Sequence, residues 1–106
     1  MQNKKIDKDS FSEQCYKILV KVPKGKVTTY KAIAYALNTR AYRAVGTAMK
    51  NNPNAPKIPC HRVIKSDGKI GNYAFGTKKK IKMLKNEGIK IKNNRIDLYK
   101  YLYKFQ

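Results

Sequence analysis

The proline- and asparagine-rich stretch from residue 51 to residue 59 limits the possible fold of this 106-residue chain more than any other segment. It reads Asn-Asn-Pro-Asn-Ala-Pro-Lys-Ile-Pro. Each proline fixes φ and removes a backbone donor, so neither a helix nor a central strand can run through this stretch. We therefore expect a structured loop that separates a helical part of the chain from a later part with hairpins.

The loop leads directly to a cysteine that is followed by the only histidine of the protein, in the order Pro59-Cys60-His61-Arg62. A cysteine reacts as its thiolate, and a nearby histidine can take the thiol proton. Pro59 biases Ile58 towards an extended conformation, which would present the cysteine on a rigid entry to the next strand. The alternative is a buried structural cysteine beside an exposed histidine.

In the part of the chain before the loop, apolar residues recur at the spacing of a helix. Ser10 and Glu13 form a capping-box pattern for a first helix that runs to about Val20, with Cys15 packed in the core. A second helix follows, with Thr28 or Thr29 as its N-cap and with three inward residues, Ile33, Ala34 and Leu37.

A third helix is expected from about Ala41 to Asn51. Its apolar stripe comprises Ala44, Val45, Ala48 and Met49. Two short helices joined by a tight turn in a basic chain indicate a helix-turn-helix. The fold class that we predict is mostly α with short β-hairpins, similar to a winged helix.

Turn residues organise the part after the loop. Ser66-Asp67-Gly68 predicts a hairpin between Val63–Lys65 and Lys69–Ile70, and Asn93-Asn94 predicts a second, smaller one. A helix capped by Thr77 should end at Gly88, and a short helix should cover 97–105 with Leu98, Tyr99, Leu102 and Tyr103 packed inward. Five lysines of the Thr77 helix are expected to stay in water: Lys78, Lys79, Lys80, Lys82 and Lys85.

Twenty-five lysines and arginines against six acids give a formal net charge of +19. This charge favours a polyanionic partner, most often nucleic acid, although a lysine-rich compositional bias explains part of it. No apolar run approaches the ~20 residues that span a bilayer, and the N-terminus has no secretory pattern. We therefore expect a cytoplasmic, DNA-associated monomer with no membrane contact. Cys15 and Cys60 lack the spacing of a zinc site, so no metal is expected.

Five segments become informative together: Arg43-Ala44-Val45-Gly46, Asn52-Pro53, Pro59-Cys60-His61-Arg62-Val63, Gly71-Asn72-Tyr73 and Asn86-Glu87-Gly88. In this order and spacing they resemble the O6-alkylguanine-DNA alkyltransferase family. The resemblance implies repair of double-stranded DNA by direct reversal, in which the base is flipped out and its alkyl group moves irreversibly to a cysteine. Each molecule would act once, and no cofactor would be needed.

The resemblance also implies residue roles. Cys60 would accept the alkyl group, with His61 as its base and Glu87 holding the imidazole. Asn52 would hold the loop, and Tyr30 would hydrogen-bond the departing guanine and crowd its phosphate.

The third helix would enter the minor groove through Arg43, Ala44, Gly46 and Thr47, with Arg43 filling the gap left by the flipped base. The substrate pocket would be bordered by four residues: Pro59, Val63, Ser66 and Tyr73.

Two departures from the family accompany the resemblance. Only about ten residues precede the first helix, so we expect residues 1–9 to form a flexible arm, 10–106 to form the alkyltransferase domain, and the family's usual N-terminal α/β domain to be absent. Phe75 replaces a smaller or more polar residue. The competing functions are a non-catalytic sensor of alkylated DNA, which would lack the acceptor cysteine, and a basic helix-turn-helix regulator that reads the major groove.

Overall fold

The structure is a computed structural model that describes residues 10–105, so the expected N-terminal arm lies outside the described residues. In chain order the elements are α1 (Phe11–Leu19), β1 (Thr28–Thr29), α2 (Tyr30–Ala36), α3 (Tyr42–Lys50), a 3₁₀ turn (Cys60–Arg62), β2 (Val63–Ile64), α4 (Thr77–Asn86) and α5 (Leu98–Tyr101). This is the mostly helical architecture that the sequence predicts. Within these residues, no helix has the length and apolar character to cross a membrane.

Local capping explains where the helices begin. The Ser10 hydroxyl accepts a hydrogen bond from the Glu13 amide at 3.2 Å, and Thr29 Oγ1 accepts one from the Ala32 amide at 2.9 Å. Both caps were predicted. The predicted cap of α4 is wrong, because Gly76 rather than Thr77 is its N-cap. Gly76 has a φ of 99°, a positive value that favours glycine and that no helical residue adopts. The helix therefore begins at the next residue, Thr77.

The two strands pair in parallel, with Thr28 opposite Val63 and Thr29 opposite Ile64. The sequence predicted instead that Val63–Lys65 would pair with Lys69–Ile70. Only the turn of that hairpin forms, through a 3.0 Å bond from the Lys65 amide to the Lys69 carbonyl. Val63 and Ile64 are both fully buried, as parallel strands covered on both faces usually are. The pairing joins the start of α2 to the segment that holds Cys60.

One core lies among α1, α2 and α3 and includes Cys15, Leu19, Ile33, Val45 and Val63. The predicted burial of Cys15 is confirmed. Ala44 was assigned both to the apolar stripe and to the thin face that would approach DNA, and its exposed side chain removes it from the stripe. Successive helical residues are about 100° apart, and the inward arc of α3 is already filled by Val45, Ala48 and Met49.

The C-terminal segment closes a second core that contains Val27, Ile64, Leu84, Ile96 and Tyr101, among others. The Asn93-Asn94 turn forms as predicted, with positive φ at both residues and two 3.0 Å bonds between Lys92 and Arg95. The last helix is shorter than predicted.

The last helix ends at Tyr101 because the following backbone pairs with Val27, whose carbonyl accepts from the Tyr103 amide at 2.8 Å. Tyr99 is fully exposed instead of packed.

Candidate active site

Cys60 lies at the start of the 3₁₀ turn that follows the proline-rich loop. Its amide donates to the Ile58 carbonyl at 2.8 Å, and the Arg62 amide donates to the Pro59 carbonyl at 2.9 Å. These bonds fix the turn immediately before β2. The Cys60 side chain is only 5% exposed, yet it lines a cavity of about 690 Å³. Cys60 therefore borders a space that is large enough for a small substrate group.

The cavity brings together six residues singled out from the sequence: Tyr30, Arg43, Gly46, Thr47, Cys60 and Tyr73. Six further residues complete its lining: Tyr42, Met49, Lys50, Lys65, Asn72 and Ala74. Residues of α3 and residues of the loop after Gly71 thus both line the cavity. Burial raises the pKa of both Tyr30 and Tyr73, with a smaller contribution from Cys60, so both phenols remain protonated donors at neutral pH.

His61 lies behind Cys60 and is 2% exposed. Its Nε2 lies 2.9 Å from Glu87 Oε2. The same carboxylate accepts two bonds from Arg62, at 2.9 Å from Nε and 2.8 Å from Nη2. Arg62 also donates to the Val22 carbonyl at 2.8 Å, so it anchors the turn rather than lining the cavity. One carboxylate therefore orients both residues that follow Cys60.

The charge state of Glu87 determines which ring nitrogen of His61 carries the hydrogen. Burial acts to raise the pKa of Glu87, but hydrogen bonds from Arg62 and His61 outweigh it, and the net pKa is lowered. Glu87 is therefore an ionised acceptor, and His61 Nε2 carries the hydrogen. Burial lowers the pKa of His61 despite the opposing effect of Glu87, so the ring is neutral near pH 7. Its Nδ1 atom is buried and has no hydrogen-bond partner among residues 10–105.

Asn52 fixes the loop before the turn. Its side-chain Nδ2 donates to the Ile58 carbonyl at 2.7 Å, and its Oδ1 accepts from the Asn54 amide at 2.9 Å. The first bond spans the two ends of the proline-rich loop. Asn52 therefore contacts the backbone next to Pro59 and lies outside the cavity lining.

Four residues expected at the substrate or DNA contacts are absent from the lining of this cavity. Ser66 is exposed in the turn between Lys65 and Lys69 and does not line the cavity, although the adjacent Lys65 does. Pro59 and Val63 are buried behind the reactive turn. Ala44 is exposed on α3. The predicted place of Ser66 is taken by Ala74 and Asn72, which do line the cavity.

The sequence analysis missed Lys80, which is 0% exposed although it was expected in water. Its ammonium donates to the carbonyls of Val63 and Asn72. The helical spacing offered a signal, because position 80 is four residues before Leu84 and lies on the same face. Across residues 10–105, no three His, Cys, Asp or Glu side chains lie close enough to hold a metal ion.

Residues 10–89 match the family model described as the DNA-binding domain of 6-O-methylguanine DNA methyltransferase. A methylated-DNA–protein-cysteine methyltransferase of Methanosarcina barkeri is 50% identical over 73% of this chain and 49% of its own length. The chain spans between 30% and 52% of the length of the first curated relatives that it matches.

Two solved structures have a similar fold. The O6-methylguanine-DNA methyltransferase of Pyrococcus kodakaraensis superposes with a TM-score of 0.69 at 48% identity, covering 74% of this chain and 46% of that one. The Atl1 protein of S. pombe, solved in complex with damaged DNA containing O6-carboxymethylguanine, superposes with a TM-score of 0.80 at 28% identity. That match covers 99% of this chain and 100% of the other.

Proposed function

The chain belongs to the 6-O-methylguanine DNA methyltransferase family, and from this premise we propose that it repairs O6-alkylguanine in double-stranded DNA by transferring the alkyl group to Cys60. The observation that carries the proposal is a cysteine that lines a cavity and is followed by a buried, neutral histidine oriented by Glu87. Transfer converts the thiol to a thioether, so each chain acts once. No cofactor takes part in the proposed reaction, and the protein acts as a monomer.

The proposed reaction is an in-line displacement at the alkyl carbon. His61 takes the Cys60 proton at Nδ1 through a bridging water, and Glu87 stabilises the resulting imidazolium. The thiolate then forms the sulfur–carbon bond while the bond from that carbon to guanine O6 breaks. Tyr30 gives its phenolic proton to the departing guanine anion, which is restored as an unmodified base in the DNA. The tyrosinate is then reprotonated from the His61 imidazolium through water, so no net proton is gained or lost. Tyr73 faces the same cavity and contributes its ring to the base pocket.

DNA engagement follows from the exposed face of α3. Among residues 10–105, nothing beyond its chain neighbours and the backbone of its own helix lies within 4 Å of a Cβ added at Gly46, so its outer side is open to a partner. With Ala44 and Thr47 it forms a thin face that can enter a minor groove, and the exposed Arg43 can occupy the space of a flipped base. The +19 charge supplies the salt-dependent attraction to phosphate. Small and apolar residues on α3 offer few base-reading groups, which disfavours a sequence-specific regulator.

The test is repair of a duplex that contains one O6-methylguanine, followed by nucleoside analysis of the DNA. The proposal predicts that guanine appears in place of O6-methylguanine in an amount equal to the protein added. Cys60→Ser should bind the duplex and leave the lesion intact. Loss of the lesion with the Cys60→Ser variant would overturn the assignment of the acceptor.

A second candidate is a protein that senses alkylated DNA without repairing it. It is favoured by the superposition along nearly the whole chain on Atl1 bound to damaged DNA. The presence of Cys60 in a reachable cavity opposes it. The same duplex separates the two functions, because a sensor binds the lesion selectively and leaves it unchanged.

A further inference from the structure

Two tyrosines of the α2–α3 pair contact each other on the protein surface. Tyr35 lies in the last turn of α2, and Tyr42 is the first residue of α3. Their ring centroids are 6.1 Å apart with an interplanar angle of 60°, and the Tyr42 hydroxyl donates a hydrogen bond to the Tyr35 hydroxyl at 3.2 Å. This edge-to-face contact across the turn holds both rings in a defined orientation.

Both rings nevertheless remain open to solvent. Tyr35 is 53% exposed and Tyr42 is 37% exposed, so a large part of their apolar surface is in contact with water. A rigid aromatic side chain loses little conformational freedom when a flat partner covers it. The pair is therefore suited to binding another ring.

Positive charge surrounds the pair. The Lys31 ammonium lies 5.7 Å from the centre of the Tyr35 ring. Arg40 and Tyr35 line the same open groove, which has a volume of about 580 Å³. No acidic side chain of residues 10–105 lines either this groove or the cavity that contains Cys60. The partner that this distribution of charge favours is an anion.

Tyr42 connects this surface to the cavity, because it lines the cavity together with Cys60. A guanine that is flipped into the cavity stays joined to its strand, so the nucleotides on either side of it must lie near the cavity entrance. A nucleotide has the two features that this surface favours. Its flat base suits the exposed ring of Tyr42, and its phosphate suits Lys31 and Arg40.

We propose that Tyr42 is a stacking platform for the nucleobase next to the flipped guanine in the same DNA strand, with Tyr35 holding its ring in place. The inference rests on the proposed function, because the flipped guanine has to occupy the cavity of Cys60. Bases of any sequence can stack on an aromatic ring, so the contact stabilises the opened duplex without selecting a sequence.

The first test measures the affinity for a duplex that contains one O6-methylguanine. The parent protein carries Cys60→Ser so that no transfer occurs, and Tyr42→Ala is added to it. Alanine is favourable in a helix, so α3 should still form. Tyr99→Ala is the matched control, because Tyr99 is a fully exposed tyrosine on α5. We expect Tyr42→Ala to weaken binding about tenfold and Tyr99→Ala to leave it unchanged. Equal affinities of Tyr42→Ala and the parent would overturn the proposal.

The second test separates the ring of Tyr42 from its hydroxyl. Tyr42→Phe keeps the aromatic face and removes the hydrogen bond to Tyr35. We expect this variant to bind within about threefold of the parent, because stacking uses the ring. A loss as large as that of Tyr42→Ala would show that the hydroxyl contacts a phosphate, which would exclude the stacking role.

The third test removes the proposed partner from the DNA. A tetrahydrofuran nucleotide, which has no base, replaces the nucleotide on the 5′ or the 3′ side of the lesion. The affinities of Tyr42→Ala and the parent should become equal on one of these two duplexes, as in a double-mutant cycle for a direct contact. A tenfold difference that persists on both duplexes would mean that Tyr42 binds something other than a neighbouring base.

All three tests measure binding instead of repair. If the unmodified protein failed to repair O6-methylguanine but Tyr42 was coupled to a neighbouring base, alkyl transfer would be wrong and the stacking role would stand. If repair proceeded and the affinity did not depend on Tyr42, only the stacking role would be wrong.

Discussion

His61 Nε2 donates a hydrogen bond to Glu87 Oε2 at 2.9 Å, across 26 residues of sequence. This bond joins the reactive turn to the end of α4 and fixes which ring nitrogen carries the hydrogen. The other nitrogen, Nδ1, is therefore the proton acceptor. The Glu87 carboxylate is in turn held by Arg62, so the histidine cannot change its orientation without disturbing the turn.

Replacing the carboxylate should remove this orientation. We expect Glu87→Gln to slow alkyl transfer about a hundredfold or more, because an amide stabilises the imidazolium less well and can hold the wrong tautomer. Single-turnover repair of an O6-methylguanine duplex measures the effect. Glu13→Gln changes an exposed carboxylate on α1 and should leave the rate unaltered. A rate for Glu87→Gln within twofold of the unmodified protein would show that the carboxylate plays no part in the reaction.

The stability of the protein should depend on pH through the same histidine. Burial lowers the pKa of His61 below its usual 6.5, so the unfolded chain binds a proton at a higher pH than the folded protein does. The free energy of unfolding should therefore be fully retained above about pH 6.5 and decrease as the pH falls below it. Urea unfolding at pH 7.5, 6.5 and 5.5 measures this slope.

His61→Asn provides the control, since the chain has no other histidine. The variant should show almost no change in unfolding free energy across that pH range. An equal slope in both proteins would mean that the buried imidazole is not its source.

The loop should lose stability when its central amide is removed. Asn52 makes one hydrogen bond to the Ile58 carbonyl and accepts one from the Asn54 amide. Asn52→Ala removes both bonds and leaves the part-buried Ile58 carbonyl without its partner, and we expect a loss of about 2 kcal/mol in the free energy of unfolding. Asn54→Ala changes an exposed side chain in the same loop and should alter stability by less than about 0.5 kcal/mol. Equal losses in the two variants would contradict the proposed role of Asn52.

Arg43 should matter only when the substrate base is stacked in a duplex. Extruding a base costs a few kcal/mol, so we expect Arg43→Ala to slow repair of duplex O6-methylguanine about tenfold to a hundredfold. Reaction with the free base O6-methylguanine should be unchanged. Arg95→Ala removes an equal charge from the Asn93-Asn94 hairpin and controls for net charge. Equal slowing on duplex and free base would exclude a role in base extrusion.

Local patterns in the sequence predicted the features that depend on neighbouring residues. The caps at Ser10 and Thr29 follow from side chains that satisfy backbone amides within one helical turn. The turn at Asn93-Asn94 follows from the tolerance of asparagine for positive φ. The proximity of His61 and Glu87 came from the family resemblance, because nothing in the spacing of two distant residues shows that they meet.

The features that the sequence did not reveal depend on packing between distant segments. The pairing of β1 with β2 joins segments that are distant in sequence, and it is favoured by the burial of Val63 and Ile64, which no local turn pattern predicts. Lys80 lies in a run of lysines, and its burial depends on the carbonyls that Val63 and Asn72 direct towards it. Ser66 was also misplaced, since it is exposed beside Lys65 and does not itself line the cavity.

The most direct measurement is the intact mass of the protein after it is mixed with an excess of duplex that contains one O6-methylguanine, followed by peptide mapping. The account predicts a mass increase equal to one methyl group per chain, located on Cys60, with no further increase at longer times. An unchanged mass together with tight binding to the lesion would contradict alkyl transfer and favour the sensor.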